Sequence, residues 1–239
     1  MAGAWIILKT GSTLPAIAQR RGDFEDWIRD GLQLAPAEVE VISVAEGHPL
    51  PSCERVRAAV VTGSSAMVTS REPWSVRSAT WLRELHERGR PVLGICYGHQ
   101  LLADALGGEV AKSPSGREIG TIEVRLTEAG RHDPLLGVVD DPFFAQTTHA
   151  EAIVRLPPGA RVLASNAATA YQAFSLGNSW GLQFHPEFDA DVVRGYVLDK
   201  RPLLRSEGTD PEAIELGIRD SDAGPRLLKR FREIVGDMG

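Results

Sequence analysis

Apolar residues along this chain fall into short continuous runs that alternate with helical stripes. Ala4 to Leu8 and Val39 to Val44 read as strands, and so does Ala58 to Val61. Such unbroken apolar runs suit a parallel sheet buried on both faces. Between the first two lies a helical stretch from about Pro15 to Leu32, bearing Ile17, Phe24, Trp27, Ile28 and Leu32. A second helix runs from Trp74 to Arg88, with Trp74, Ser78, Trp81, Leu82 and Leu85 on one stripe. After a fourth apolar strand and its helix the spacing shortens. Further strands are predicted at Glu118 to Leu126, Phe143 to Gln146, Arg161 to Ala164, Ala170 to Phe174 and Trp180 to Phe184. The end of the chain is helical, with Leu227, Leu228, Phe231, Ile234 and Val235 striping a terminal helix that starts near Pro225. No repeat or linker divides the 239 residues, so one domain is expected, with a core to about residue 190 and helices beyond. The pattern predicts an α/β fold: a doubly wound, mostly parallel sheet with flanking helices and a small antiparallel strand region. Its ligand site belongs at the C-terminal edge of the strands.

The fourth strand ends in chemistry. Pro91-Val-Leu-Gly-Ile-Cys-Tyr-Gly-His-Gln100 runs straight into a helix whose buried face is Leu101, Leu102, Ala105 and Leu106, stopped by Gly107-Gly108. Gly94-Ile-Cys96-Tyr-Gly98 is the cysteine form of the nucleophile elbow, a strand-to-helix turn too tight for side chains two residues either side of the nucleophile. A helix N-terminus just after Cys96 favours negative charge on its sulfur. Read alone, a buried structural cysteine at the end of a core strand fits the same residues.

A nucleophilic thiol needs a base. Of six histidines, His185 has the telling context, Trp180-Gly-Leu-Gln-Phe-His185-Pro-Glu187. Pro186 pushes His185 into an extended conformation, and in an extended chain residues i and i+2 share a face. Glu187 can therefore fix the imidazole tautomer and stabilise the imidazolium. His48, His86 and His132 sit in polar or loop-like surroundings without such a partner. The order nucleophile, histidine, acid, with the last two only two residues apart, differs from that of the α/β-hydrolases and from the papain-like proteases.

Gly94 to Gln100, Gln183-Phe-His-Pro-Glu187 and the earlier Val61-Thr-Gly-Ser-Ser65 together resemble the class I, triad-type glutamine amidotransferases, over nearly the whole chain and in the expected order. The nearest likeness is to the glutaminase part of GMP synthase in its stand-alone relatives. The resemblance implies a flavodoxin-like amidotransferase fold. It makes Cys96 the nucleophile, His185 the general base and acid, and Glu187 the orienting carboxylate. It also implies an oxyanion hole from the backbone N–H groups of Gly63 and Tyr97, with Gln100 holding the glutamine main chain. Gln146-Thr-Thr-His-Ala-Glu151 aligns with the family's substrate loop, which brings in Thr148 and His149. Two departures stand out: Gly63-Ser64-Ser65 replaces a Gly-Gly-Pro-like or Gly-Ser-Pro-like loop, and Thr148 stands where serine is commoner.

Composition narrows the alternatives. A net charge of −6 without a basic block argues against a nucleic-acid partner. No apolar run approaches the ~18 residues of a membrane helix, and the N-terminal Met-Ala-Gly-Ala-Trp stretch lacks the basic region of a signal peptide. Cys53 and Cys96, the only cysteines, form neither a Cys-x-x-Cys pair nor a zinc spacing, which suits a reducing cytoplasm. Cys53 reads as an incidental loop residue. With no P-loop or phosphate-cradling glycine run, no cofactor or metal is expected. Three readings remain: a glutaminase feeding ammonia to a separate synthase subunit, a hydrolase of γ-glutamyl peptides or amides with the same triad, and an idle interaction protein that keeps the fold.

Overall fold

The computed structural model describes residues 3–238, so Met1 and Ala2 of the N-terminal reading lie outside the described residues. The first third of the chain comprises β1 (Ala4–Lys9), α1 (Pro15–Arg21), α2 (Phe24–Gly31), β2 (Val39–Ser43), β3 (Val56–Val61) and α3 (Pro73–Glu87). Next come β4 (Val92–Ile95), α4 (Tyr97–Ala105), β5 (Glu109–Lys112), β6 (Glu118–Leu126), α5 (Glu128–Arg131) and β7 (Phe143–His149). The chain closes with β8 (Glu151–Arg155), β9 (Arg161–Ser165), β10 (Ala173–Leu176), β11 (Ser179–Leu182), α6 (Ala190–Ser206), α7 (Pro211–Gly217) and α8 (Ala223–Asp237).

Nine strands form one sheet in the order β2-β1-β3-β4-β11-β10-β9-β6-β7. The first five pair in parallel and the rest antiparallel, while β5 and β8 make a separate two-stranded antiparallel sheet. The parallel side is covered on both faces, as its apolar runs require. In β1, Trp5 and Ile7 join a core shared with α1, α2, α6 and α8, whereas Ile6 and Leu8 join the one formed with α3 and α4. Phe231 of α8 meets Trp5 and Trp180 edge-on, at centroid separations of 5.9 and 6.1 Å.

Three expectations change. The single helix across residues 15–32 is two. Gly22, at φ 80°, ends α1, and Asp23 caps α2, with Asp26 bonding back to the Asp23 amide. The supposed substrate loop is largely strand. β7 runs to His149 beside β6, and after Ala150 the chain enters β8 in the other sheet. The strands β5 and β8 had no clear apolar alternation; they form by pairing residues about 40 apart, such as Lys112 with Glu151. Cys53 is also no loop residue: it is 2% exposed, inside the core beneath α3.

Candidate active site

The elbow is built by close backbone contact. Cys96 has φ 51° and ψ −100°, a strained conformation for a residue with a side chain, and it is the N-cap of α4. A Cβ on Gly94 would lie 2.4 Å from the Gly98 carbonyl oxygen, and one on Gly98 would lie 2.4 Å from that of Val61. Glycine is therefore required at both flanks for space, since neither has positive φ. Backbone bonds then tie three strand ends together. The Cys96 amide donates to Leu182 O at 2.8 Å, and the Gly98 amide to Thr62 O at 3.2 Å.

His185 lies just beyond β11 and is pinned across the sheet, its amide donating to Gln146 O of β7 at 2.8 Å. Its Nδ1 is 2.8 Å from Glu187 Oε1, and both side chains are buried. The ring stacks on Phe188 with centroids 3.9 Å apart, and Phe188 stacks in turn on Tyr196 of α6 at 5.4 Å. His185 Nε2 is buried without a hydrogen-bond partner among the described residues, so nothing else competes for the proton it carries. Burial alone would oppose a charged ring. The negative charges of Glu187 and then Cys96 outweigh it and push the His185 pKa up to about 10. Cys96 and His185 line one cavity of about 210 Å³, and Cys96 Sγ is 3.7 Å from the Thr148 carbonyl oxygen across it.

Gly63 sits against His185. A Cβ there would lie 2.8 Å from His185 Cε1, so this glycine answers to the imidazole, not to any need for positive φ. Among the described residues no backbone carbonyl accepts from the Gly63 or Tyr97 amide. The loop lacks the family's proline but not its restraint. Ser64 Oγ donates to Thr10 O at 2.8 Å, and Gly63 O accepts from Thr10 Oγ1 at 3.1 Å and Thr62 Oγ1 at 2.9 Å.

Gln100, Thr148 and His149 line the cavity, with the Gln100 amide nitrogen and both His149 ring nitrogens committed elsewhere. Gln100 Nε2 donates to Glu151 O at 2.7 Å and Gln183 Oε1 at 3.0 Å. His149 lies within hydrogen-bond reach of Glu151 O through Nδ1, at 2.9 Å, and of Glu118 Oε2 through Nε2, at 3.0 Å. The cavity wall also includes Phe24, Arg117, Tyr196 and Lys200, none of which the sequence reading placed in the site. Phe188, which stacks on His185, had a visible signal because it adjoins the His-Pro-Glu run; the four wall residues arrive from distant elements. His99, inside the elbow motif, is fully buried against Phe174, and burial pulls its pKa down to about 3, leaving it neutral. Burial and then the Glu84 charge push the Cys53 thiol up to about 11.

The sequence profile of the class-I glutamine amidotransferases matches residues 26–201, well over half of the chain. The chain belongs to that family. A GMP synthase (glutamine-hydrolysing) of Thermomicrobium roseum is 34% identical over 234 residues, covering 93% of this chain and 40% of that protein. The corresponding protein of Aeropyrum pernix is 38% identical over 156 residues, 65% of this amidotransferase and 28% of its relative. This chain thus spans well under half the length of these GMP synthases. The fold agrees with a crystal structure of a glutamine amidotransferase from Thermotoga maritima, at a TM-score of 0.77 and 20% identity, covering 98% of this chain and 99% of the other. Among the described residues of this family member, no helix is long and apolar enough to cross a membrane. Nor do any three His, Cys, Asp or Glu residues there form a group that could hold a metal ion.

Proposed function

We propose that this chain, acting as one amidotransferase domain, hydrolyses the side-chain amide of glutamine through Cys96, His185 and Glu187. The observation that carries the reading is the buried 2.8 Å contact of His185 with Glu187, its other ring nitrogen unpartnered in the cavity that holds Cys96. With the proton already held on His185, as its raised pKa requires, the Cys96 sulfur attacks the γ-carbonyl carbon. The negative oxygen of the tetrahedral intermediate is held by the amides of Gly63 and Tyr97, each such donor being worth about 3–4 kcal/mol. The imidazolium, stabilised by Glu187 and stacked on Phe188, passes its proton to the departing nitrogen. Ammonia leaves and a γ-glutamyl thioester remains on Cys96. Water, activated by the same imidazole, then releases glutamate. The strain at Cys96 and the helix end beneath it support the sulfur as the reacting atom. The likeness to GMP synthases that are named as glutamine-hydrolysing supports a synthase as the consumer of ammonia.

The test is covalent trapping. A glutamine-like diazo-ketone should modify Cys96 and leave Cys53, which is buried and held as a thiol, untouched. Cys96→Ala should lower glutamate release by at least about 10⁴-fold. Label on Cys53 with full activity in Cys96→Ala would overturn the assignment.

A further inference from the structure

His185, Phe188 and Tyr196 form a near-parallel stack of rings. The turn from His185 to Phe188 is closed by the Phe188 amide donating to His185 O at 3.4 Å, and it folds the Phe188 ring back onto the imidazole. The two rings lie 3.9 Å apart at 15°. Tyr196 of α6 stacks on Phe188 in turn, at 5.4 Å and 21°. Its hydroxyl is 2.9 Å from Thr13 Oγ1, and the Thr13 amide donates at 2.7 Å to Asp23, the residue that caps α2. Phe24, the first residue of that helix, stacks on Phe188 at 6.0 Å, and Trp27 meets it edge-on at 5.7 Å. The Glu187 bond at Nδ1 leaves the imidazole one swing, about the line from Nδ1 to Oε1. A parallel ring in van der Waals contact removes that swing. The face of a phenyl ring is also negative, so it favours imidazolium over the neutral ring in a place that water does not reach. Among the ionisable groups packed nearby, Glu187 and Cys96 act on the imidazole directly. Lys200 Nζ stands 6.0 Å over the Tyr196 ring, and Asp23 reaches the stack through Thr13. Burial holds the Tyr196 phenol neutral, its pKa well above the ordinary value.

We propose that Phe188 and Tyr196 are positioning residues for the Cys96–His185 pair. Phe188 fixes the plane of the imidazole and favours its charged form through the ring face, and Tyr196, anchored on Thr13, fixes Phe188. The inference rests on the thioester chemistry above and adds to it two residues that act through His185. A leucine at 188 would fill the turn but would leave the imidazolium without an aromatic face. With that face in place the thiolate–imidazolium pair persists to higher pH, because the pair is lost when the imidazolium gives up its proton. The capped start of α2 gains a purpose as well, since Asp23 holds Thr13 and Phe24 packs on the stack.

The test replaces Phe188 in the full chain with phenylalanines carrying one, two and three ring fluorines, which withdraw charge from the ring face and keep its shape. NMR titration of His185 in the Cys96→Ala background reads the imidazole without turnover. Its midpoint should fall stepwise as fluorines are added, and by about one pH unit in Phe188→Leu. With Cys96 restored, the alkaline limb of kcat/KM for glutamine should move down in the same steps. Tyr196→Leu should lower kcat about tenfold, and Tyr196→Phe, which keeps the ring but loses the Thr13 anchor, should fall between that variant and the wild type. A His185 midpoint indifferent both to fluorination and to Phe188→Leu would overturn the role of Phe188. An unchanged kcat in Tyr196→Leu would overturn that of Tyr196. Absence of a thioester on Cys96 in the wild type would instead bring down the proposed chemistry, and the titration would still judge the stack.

Discussion

On the parallel side of the large sheet, Gly63, Cys96 and His185 follow three neighbouring strands, β3, β4 and β11, and close contact holds them. A single added carbon at Gly63, Gly94 or Gly98 would meet its neighbour at 2.8 Å or less. On the antiparallel side the far wall of the cavity hangs on a buried polar hub. Glu118 of β6 is within bonding distance of His149 at 3.0 Å and accepts from Asn166 at 2.6 Å, Thr169 at 3.1 Å and Gln172 at 2.8 Å. Burial works against its charge, but the bonds from His149 and Asn166 prevail and keep its carboxyl below the usual range. The two sides meet where the His185 amide bonds Gln146 and the Cys96 sulfur faces Thr148. The first side sets where Cys96 and His185 sit within a few tenths of an ångström. The second sets the shape and charge of what lies opposite them. Damage to the first should therefore appear in turnover and damage to the second in binding and stability.

After Cys96 itself, the largest expected effect is at Glu187. Glu187→Gln should lower kcat by about 10²–10⁴-fold while leaving measurable activity, because the orienter of a triad matters less than its nucleophile. The same variant carries a pH signature. The His185 pKa rises from 6.5 to about 10 on folding, so its stabilisation is complete below about pH 6.5 and lost as pH climbs through 10. The wild-type denaturation midpoint should fall across that window, and Glu187→Gln should flatten the fall. A steady kcat, or an unchanged pH slope, would separate Glu187 from the base.

Gly63→Ala comes next. Its methyl group must displace the His185 ring, and a misplacement near 1 Å costs about 10²-fold. Steady-state kinetics should show that loss in kcat with KM little changed. A change confined to KM would assign the loop to substrate binding and erase the contrast between the two sides.

Glu118→Gln is the mildest and tests the antiparallel side. Loss of the charge should weaken several buried bonds and lower the melting temperature by about 3–8 °C. KM should rise a few-fold as the strand bearing Thr148 loosens, with kcat within about twofold. A kcat loss like that of Gly63→Ala would show that the hub controls the reacting atoms too.

The elements most legible in the sequence are those ruled by neighbours along the chain. The continuous apolar run of β1 and the terminal stripe of α8 have local causes, and so has the break between α1 and α2 at Gly22-Asp23, although that break was read through as one helix. The spacing of His185 and Glu187 likewise needs only an extended backbone around Pro186, and the structure holds the two 2.8 Å apart.

Local sterics thus belong to the sequence itself: a cysteine between two glycines at a strand end, a carboxylate two residues past a histidine, apolar runs long enough for a sheet covered twice. What lies across from the sulfur was decided only by tertiary structure. Thr148 faces Cys96 from 52 residues away, Glu207 holds Arg117 from 90 residues away, and Tyr196 and Lys200 enter on a helix whose own pattern records only its buried stripe. β5 and β8 exist because each supplies the other's hydrogen bonds. Backbone sterics act over a few residues and leave a mark in the order of side chains. Pairing across a sheet and the walls of a cavity depend on which segments packing brings together, and no stretch of sequence carries that alone.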